Sequence, residues 1–164
     1  MSQMRKVVAI VRNYQERISA ESVARYTRVR LEDESGKTYY IKRLVVPGYL
    51  ARNGAFSSDV PRTWYVKNVD KHTVVIVGFE GSSGKFFYDL DEVKTLSKGA
   101  RVQGVIYAIA AVPAPIIVAV ATYGLGLLLM PLFVYQAYKY LIKIPSLLSQ
   151  ATLKRDFQGF GISI

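Results

Sequence analysis

The sequence contains no cysteine, and histidine and tryptophan each occur once among its 164 residues. Without cysteine the chain forms no disulfide, no thiolate metal site and no cysteine nucleophile. The single histidine, His72, excludes a histidine pair as metal ligands, and its turn-forming neighbours predict a solvated side chain rather than a catalytic base. The sequence therefore predicts neither an enzyme nor a cofactor site.

Charge is absent from residues 102–138, a run of 37 positions without Asp, Glu, Lys, Arg or His. A helix that crosses the hydrocarbon of a bilayer needs about 20 predominantly apolar residues, so this run has about the length of two short spans. It predicts an integral membrane protein. Ion and proton pathways normally contain ionisable groups, so the same run argues against a transporter or pump.

Two arrangements of the apolar run are open. In the first, residues 102–121 and 125–142 form a transmembrane hairpin with a turn at 122–124, and the prolines at 113 and 115 kink the first helix. In the second, a single long helix over residues 116–142 crosses the bilayer at a tilt. Basic residues flank both ends of the run, which favours the hairpin with both ends in the cytoplasm.

Basic and aromatic side chains mark the expected membrane interface on both flanks. An aromatic belt beside lysines and arginines is typical of helix ends at headgroup level. The predicted interface residues are Lys98, Arg101, Tyr135, Tyr138, Lys139, Tyr140 and Lys143.

Residues 1–98 predict one mainly β domain. Residues 1–101 hold 18 of the 22 basic and 11 of the 12 acidic groups, as expected of a part that folds in water. Short runs with period-two alternation, separated by turn formers, predict a small SH3-like or OB-like antiparallel barrel. The apolar run at 7–11 is too short for a signal peptide, so we expect a bacterial inner-membrane protein with this domain in the cytoplasm.

The predicted strands carry a basic and aromatic face. Alternation over residues 23–31 assigns Tyr26, Arg28 and Arg30 to one side, and Tyr40 and Lys42 follow on the next strand. Small barrels use such faces to bind nucleic acid. The alternative is a solvated face that lies near the anionic headgroups of the bilayer, and we expect this or a protein partner more than nucleic acid.

A small-residue face in the first apolar segment is formed by Gly104, Ala108 and Ala111. In lipid, helices associate where small side chains allow a close approach of their backbones. This face therefore predicts contact with a helix of a membrane partner or of a second copy. An intramolecular contact with the second segment is at least as good an interpretation.

Two further segments of the sequence have distinctive compositions. Residues 78–87 resemble a phosphate-binding loop in composition only, because Phe79 and Phe86 occupy positions that the motif requires to be glycine and Ser or Thr. Residues 144–164 form an interfacial or tail segment, with a short surface helix followed by an end that is either disordered or docks on a partner.

The function expected from these features is binding. The first hypothesis is a non-enzymatic accessory or assembly subunit of a larger bacterial inner-membrane complex. The alternatives are a membrane-tethered adaptor for nucleic acid, or a protective protein that binds a membrane-acting toxin through its hairpin.

Overall fold

The structure, a computed structural model, describes residues 3–20, 22–33, 35–81 and 83–164, with the backbone alone at positions 16, 17 and 19. The chain divides into two compact units. The sheet unit comprises Met1–Val93 together with Asp156–Ile164, and the helical unit comprises Lys94–Arg155.

Within the described residues, the sheet unit contains seven strands and one complete short helix. The strands are β1 (Arg5–Asn13), β2 (Glu16–Ala20), β3 (Val23–Glu32), β4 (Thr38–Pro47), β5 (Arg62–Asn68), β6 (Thr73–Glu80) and β7 (Phe86–Tyr88), and α1 (Gly48–Arg52) follows β4. This confirms a β-sheet domain ahead of the apolar segments.

The strands form one sheet in the order β1-β5-β6-β4-β3-β2, with β7 beside β6. All pairings are antiparallel except that of β4 with β6, which is parallel. β1 uses both of its edges, because residues 5–9 pair with β5 and residues 10–13 pair with β3.

The core of the sheet unit is a cluster of aliphatic and aromatic side chains from β1, β3, β4, β5 and β6. Trp64 is 1% exposed, and its indole N–H donates a hydrogen bond to the carbonyl oxygen of Ala55 at 2.8 Å. A buried indole needs such a partner because an unpaired polar group inside a protein is costly. The only tryptophan is therefore a core residue.

The helical unit contains most of a long helix, a turn and a second helical stretch. α2 (Leu90–Ala110) begins in the sheet unit, α3 (Pro113–Ala121) follows it, and the stretch Leu125–Leu147 contains α4 (Met130–Tyr138) and α5 (Ile144–Leu147). α6 (Gln150–Gln158) then leads back into the sheet unit. We call residues 94–121 the first arm and Leu125–Leu147 the second arm.

The two arms lie antiparallel. The position of a Cβ on Gly104 would be 2.7 Å from Leu141 Cγ, and near the turn a Cβ on Gly126 would be 2.1 Å from Ala119 N. Between these points Tyr107 stacks on Tyr140 with ring centroids 5.7 Å apart. The turn occurs at the predicted residues 122–124, where Gly124 has φ +96°, a conformation that favours glycine.

The first arm begins earlier than the predicted helix, and it bends at the predicted prolines. Helix α2 starts at Leu90, capped by Asp89, and continues through Gly99, because one glycine costs only about 1 kcal/mol once a helix propagates. The break falls before Pro113, which lacks the N–H that a continuous helix needs. α2 and α3 are bent by 46° at this point.

Among the described residues, one helical stretch, Leu125–Leu147, is long and apolar enough to cross a membrane, and 11% of its apolar window is buried. α2 and α3 pass the same test of length and composition when they are taken together as a bent pair.

Candidate functional site

The outer face of β3 and β4 displays most of the predicted basic and aromatic residues. Arg28, Arg30 and Lys42 are exposed, and Tyr40 is 73% exposed. Arg30 lies directly opposite Tyr40 in the antiparallel register. Residues in such opposed positions have Cβ atoms about 5 Å apart, so the two side chains are neighbours on the same face of the sheet.

Tyr26 does not belong to this face, which corrects the assignment from alternation. It is 3% exposed and stacks on Phe56 with ring centroids 3.7 Å apart. The reason is Arg28, whose φ of +49° breaks the alternation of β3: Ala24 and Tyr26 point into the core before it, and Val29 and Leu31 do so after it. A left-handed conformation costs a non-glycine residue about 1–2 kcal/mol.

Two more arginines share this outer surface and were missed by the sequence reasoning. Arg25 and Arg43 are exposed and follow the register before the break, opposite Val45 and Thr27. Alternation would have assigned these two arginines to the outer face only if Tyr26 had been placed in the core. We call the resulting set the basic face: Arg25, Arg28, Arg30, Tyr40, Lys42 and Arg43.

The described side chains around the basic face offer it little compensating negative charge. Among the described side chains, none of its five cations forms an ion pair with a carboxylate. Glu32, at the end of β3, is engaged by Arg12 at 2.9 Å, and this hydrogen bond lowers the pKa of Glu32 below its usual value of 4.5. Arg12 also contacts Asp59 at 2.9 Å, so that carboxylate is occupied as well.

A cleft of about 680 Å³ opens beside the same strands. Its floor is apolar, from Val7, Ala9, Leu31, Ile41, Val66 and Val74, and its rim includes Arg5, Lys6, Tyr39 and Tyr40. The hairpin at this rim is held by Asp33, whose carboxylate accepts hydrogen bonds from the backbone and hydroxyl of Ser35 and from the backbone of Lys37. The hydroxyl of Ser35 is the main reason that the pKa of Asp33 is lowered. Glu34 of this loop lies outside the described residues.

The three residues of the small-residue face differ in burial. Gly104 and Ala111 are buried, and Gly104 lies against the side chain and backbone of Leu141 of the second arm. Ala108 is exposed at the edge of this contact. The glycine therefore serves the close approach of the two arms, and Ala108 remains accessible.

The predicted interface residues lie near the start of the first arm and from the middle of the second arm to its end. Lys98 and Arg101 are exposed on α2, and Tyr135, Tyr138 and Lys143 are exposed on the second arm. Lys139 and Tyr140 are half-buried, and the Lys139 ammonium lies 5.4 Å from the Tyr140 ring centroid. The stacking of Tyr140 on Tyr107 was missed by the sequence reasoning.

The chain end supplies an unforeseen ion pair inside the sheet unit. Lys67 of β5 is 1% exposed, and its ammonium lies 2.6 Å from the Asp156 carboxylate. Phe157 is fully buried and packs against Tyr65 and Phe86. The end of the chain is thus a docked helix and turn, where the sequence predicted disorder or docking on a partner.

A second polar group lies next to this docked end. The Tyr65 hydroxyl donates a short hydrogen bond to Glu80, and the Lys6 ammonium lies 3.4 Å from the same carboxylate. Burial, with help from Glu80, raises the pKa of Tyr65, and the contact with Tyr65 is the main cause of a raised pKa of Lys6. The three groups form a surface network that adjoins the aromatic contacts of the chain end.

The described residues offer no group of three or more metal-ligating side chains. His72 is exposed, and its backbone N–H donates to the Asp70 carboxylate in the turn between β5 and β6. The segment with phosphate-loop composition forms the β6–β7 hairpin, with Gly81 bonded to Lys85; Ser82 lies outside the described residues.

Comparisons with protein-family models, with curated proteins and with solved structures give no significant match to this chain. We therefore infer a function from the geometry of each unit.

Proposed function

We propose that this protein is a non-enzymatic subunit of a larger bacterial inner-membrane complex, anchored by a helical hairpin and carrying a cytoplasmic β-barrel interaction domain. The main support for the membrane anchor is that two separate parts of the chain form the sheet unit. Met1–Val93 and Asp156–Ile164 belong to one compact unit, although residues 94–155 separate them in sequence. One folded unit lies on one side of a bilayer, so the chain between its two parts crosses an even number of times.

The two arms have suitable lengths for this topology. The second arm has 23 residues, or about 34 Å at 1.5 Å per residue, against a hydrocarbon thickness of about 30 Å. The first arm crosses as the bent pair of α2 and α3. A single tilted helix would place Val93 and Asp156 on opposite sides of the membrane, which the shared sheet unit opposes.

The distribution of charge supports a cytoplasmic sheet unit. The ends of the helical unit carry seven basic residues and no acidic one, and the turn at 122–124 is uncharged. Lysine and arginine collect on the cytoplasmic side of short loops and span ends. The hairpin would therefore point its turn outward and keep both flanks inside.

The strand pairings support a barrel. Successive pairs run from β1 through β5, β6, β4 and β3 and return to β1, so five strands would close on themselves. The parallel pair β4–β6 and the short helix α1 between β4 and β5 favour a Greek-key barrel of the OB type over an SH3-like one. Closure leaves few free strand edges, which suits a domain that meets other proteins at the membrane.

A subunit role is supported by the exposed surface of the arms. Because Gly104 already serves the contact between the arms and Ala111 is buried, a partner helix would use the accessible side near Ala108. Small side chains at such a position allow close approach in lipid. Residues 102–138 contain no Asp, Glu, Lys, Arg or His, so the activity of the protein would be association rather than transport.

The topology is tested with single cysteines, which the natural chain lacks. Cysteines at Lys98 and Lys154 should be shielded from an impermeant maleimide in intact cells, and one at the fully exposed Tyr123 should react. All three sites should react after the cells are permeabilised. Labelling of positions 98 and 154 from opposite sides of the membrane would exclude the hairpin.

The subunit role is tested with a photo-crosslinking amino acid at Ala108 in native membranes. One defined membrane protein should be captured there, and the buried position Ala111 serves as the matched control with little capture. Capture of lipid alone at Ala108 would contradict a partner on this side of the arm.

A further inference from the structure

The basic face concentrates positive charge along two paired strands. Its four arginines and one lysine lie on β3 and β4, and outward residues two apart on a strand are separated by about 6.8 Å. Tyr40 stands among them, opposite Arg30 and two positions from Lys42. The face is therefore a narrow stripe of cations with one exposed ring inside it.

The backbone conformation of Arg28 helps to build this stripe. Its positive φ turns residues 27 and 28 to the outer side in succession, and the next inward residue is Val29. Regular alternation with Tyr26 inside would instead place Arg28 in the core and Val29 outside. The unfavourable conformation thus brings Arg28 and Arg30 to the same surface as Arg25 and Arg43.

We propose that the basic face binds single-stranded nucleic acid. Phosphates of one flexible strand would contact the arginines and Lys42, and a base would stack on Tyr40. Sequence-tolerant binding of this kind combines a cationic track with an aromatic platform. Guanidinium groups suit the task because they bind phosphate oxygens in pairs and stack on flat rings.

Two features favour a single strand over an anionic membrane surface. A membrane attracts lysine and arginine about equally, whereas the stripe is four-fifths arginine. A bilayer also presents a plane of charge, whereas the cations here follow two adjacent strands about 5 Å apart. The stripe matches one polyanionic chain in width.

The test uses the full-length protein in nanodiscs of zwitterionic lipid with a fluorescent oligothymidine or oligouridine, followed by anisotropy. Binding should weaken with salt, because each neutralised phosphate of a single strand contributes about 0.7 to the slope of log K against log salt. Engagement of all five cations gives a slope of about −3.5. Arg28→Gln with Arg30→Gln should reduce it to about −2.1.

The aromatic contribution is tested separately. Tyr40→Ala should weaken binding at least about fivefold at fixed salt, and Tyr40→Phe should bind like the unmodified protein because the ring remains. Lys85→Gln with Lys154→Gln is the matched control. It removes two exposed cations outside β3 and β4 and should leave binding within about twofold.

Each alternative outcome overturns the proposal. No salt-dependent binding of the oligonucleotide would exclude the site. An equal loss in the Lys85 and Lys154 control would mean that net charge, and not the face, is responsible. Binding to vesicles with anionic lipid that is lost in the Arg28 and Arg30 variant, without binding of oligonucleotide, would assign the face to headgroups. Circular dichroism of every variant shows whether its fold is retained.

Discussion

The two units of this protein place similar apolar side chains in opposite surroundings. In the sheet unit, Trp64 and Ile76 are no more than 1% exposed, whereas in the helical unit Ile117 is 70% and Val120 is 83% exposed. A soluble protein rarely exposes a contiguous apolar surface of this extent. One unit buries its apolar surface within itself, and the other leaves apolar side chains of a potential membrane span exposed.

The charges differ in the same way. The sheet unit has 15 basic and 12 acidic residues, and the helical unit has seven basic and no acidic ones. Ion pairs such as Lys67 with Asp156 stabilise the first unit internally. The second has no internal carboxylate and carries its cations near its ends. Each unit should therefore respond to changes that leave the other unaffected.

The largest expected effect concerns the docked chain end. A soluble protein made from residues 1–93 joined by a flexible linker to residues 156–164 should fold cooperatively without detergent. Residues 1–98 alone should be less stable by about 5 kcal/mol, because they lack the buried Phe157 and leave Lys67 without Asp156. Urea unfolding followed by the fluorescence of Trp64 measures the difference.

Phe157→Ala in the joined protein is the control for this comparison. It retains Asp156 and should cost about 3–4 kcal/mol of unfolding free energy, less than loss of the whole end. Equal stability of residues 1–98 and the joined protein would show that the chain end does not belong to the sheet unit.

A smaller effect is expected in the helical unit. Gly104→Leu should separate the arms at that point, because a Cβ there would lie 2.8 Å from the backbone nitrogen of Leu141. Overpacking of this kind costs about 1–3 kcal/mol. Ala108→Leu, at an exposed position, should leave the arms together. Cysteines at Tyr107 and Tyr140, joined by a short bismaleimide, report the distance between the arms.

The two substitutions distinguish the two roles of the small-residue face, which are contact between the arms and contact with a partner. Gly104→Leu should lower the cross-linking yield, and Ala108→Leu should keep the yield but weaken capture of a partner. Unchanged cross-linking in Gly104→Leu would contradict the close approach of the arms. The soluble joined protein contains neither position, so these substitutions do not bear on its stability.

Local patterns predicted much of this structure. Turn formers located the β hairpins and the turn at 122–124, because these residues act through their own backbone preferences. Lack of charge identified the apolar arms. The prolines predicted the bend before α3, since a missing N–H has its effect at the site itself.

The rest depends on contacts between distant residues. Alternation breaks at Arg28, which adopts a positive φ that a non-glycine residue disfavours. Regular alternation therefore predicted Tyr26 on the outer face and did not identify Arg25 and Arg43. The pairing of Lys67 with Asp156 joins residues 89 positions apart, and no local signal predicts it.

The smallest expected effect is a difference in acid sensitivity. The hydrogen bond from Arg12 lowers the pKa of Glu32 in the folded sheet unit, so this ion pair contributes stability above the unfolded pKa of about 4.5. That contribution should be lost as the pH falls through the lower pKa of Glu32 in the folded state. Arg12→Gln should remove it at neutral pH and make the stability of the sheet unit depend less on pH. The helical unit has no carboxylate to protonate, so in nanodiscs its helical circular dichroism should stay constant over the same range. Parallel acid titrations of Trp64 fluorescence and helical signal make the comparison; helix loss together with sheet loss would mean that the two units are not independently stable.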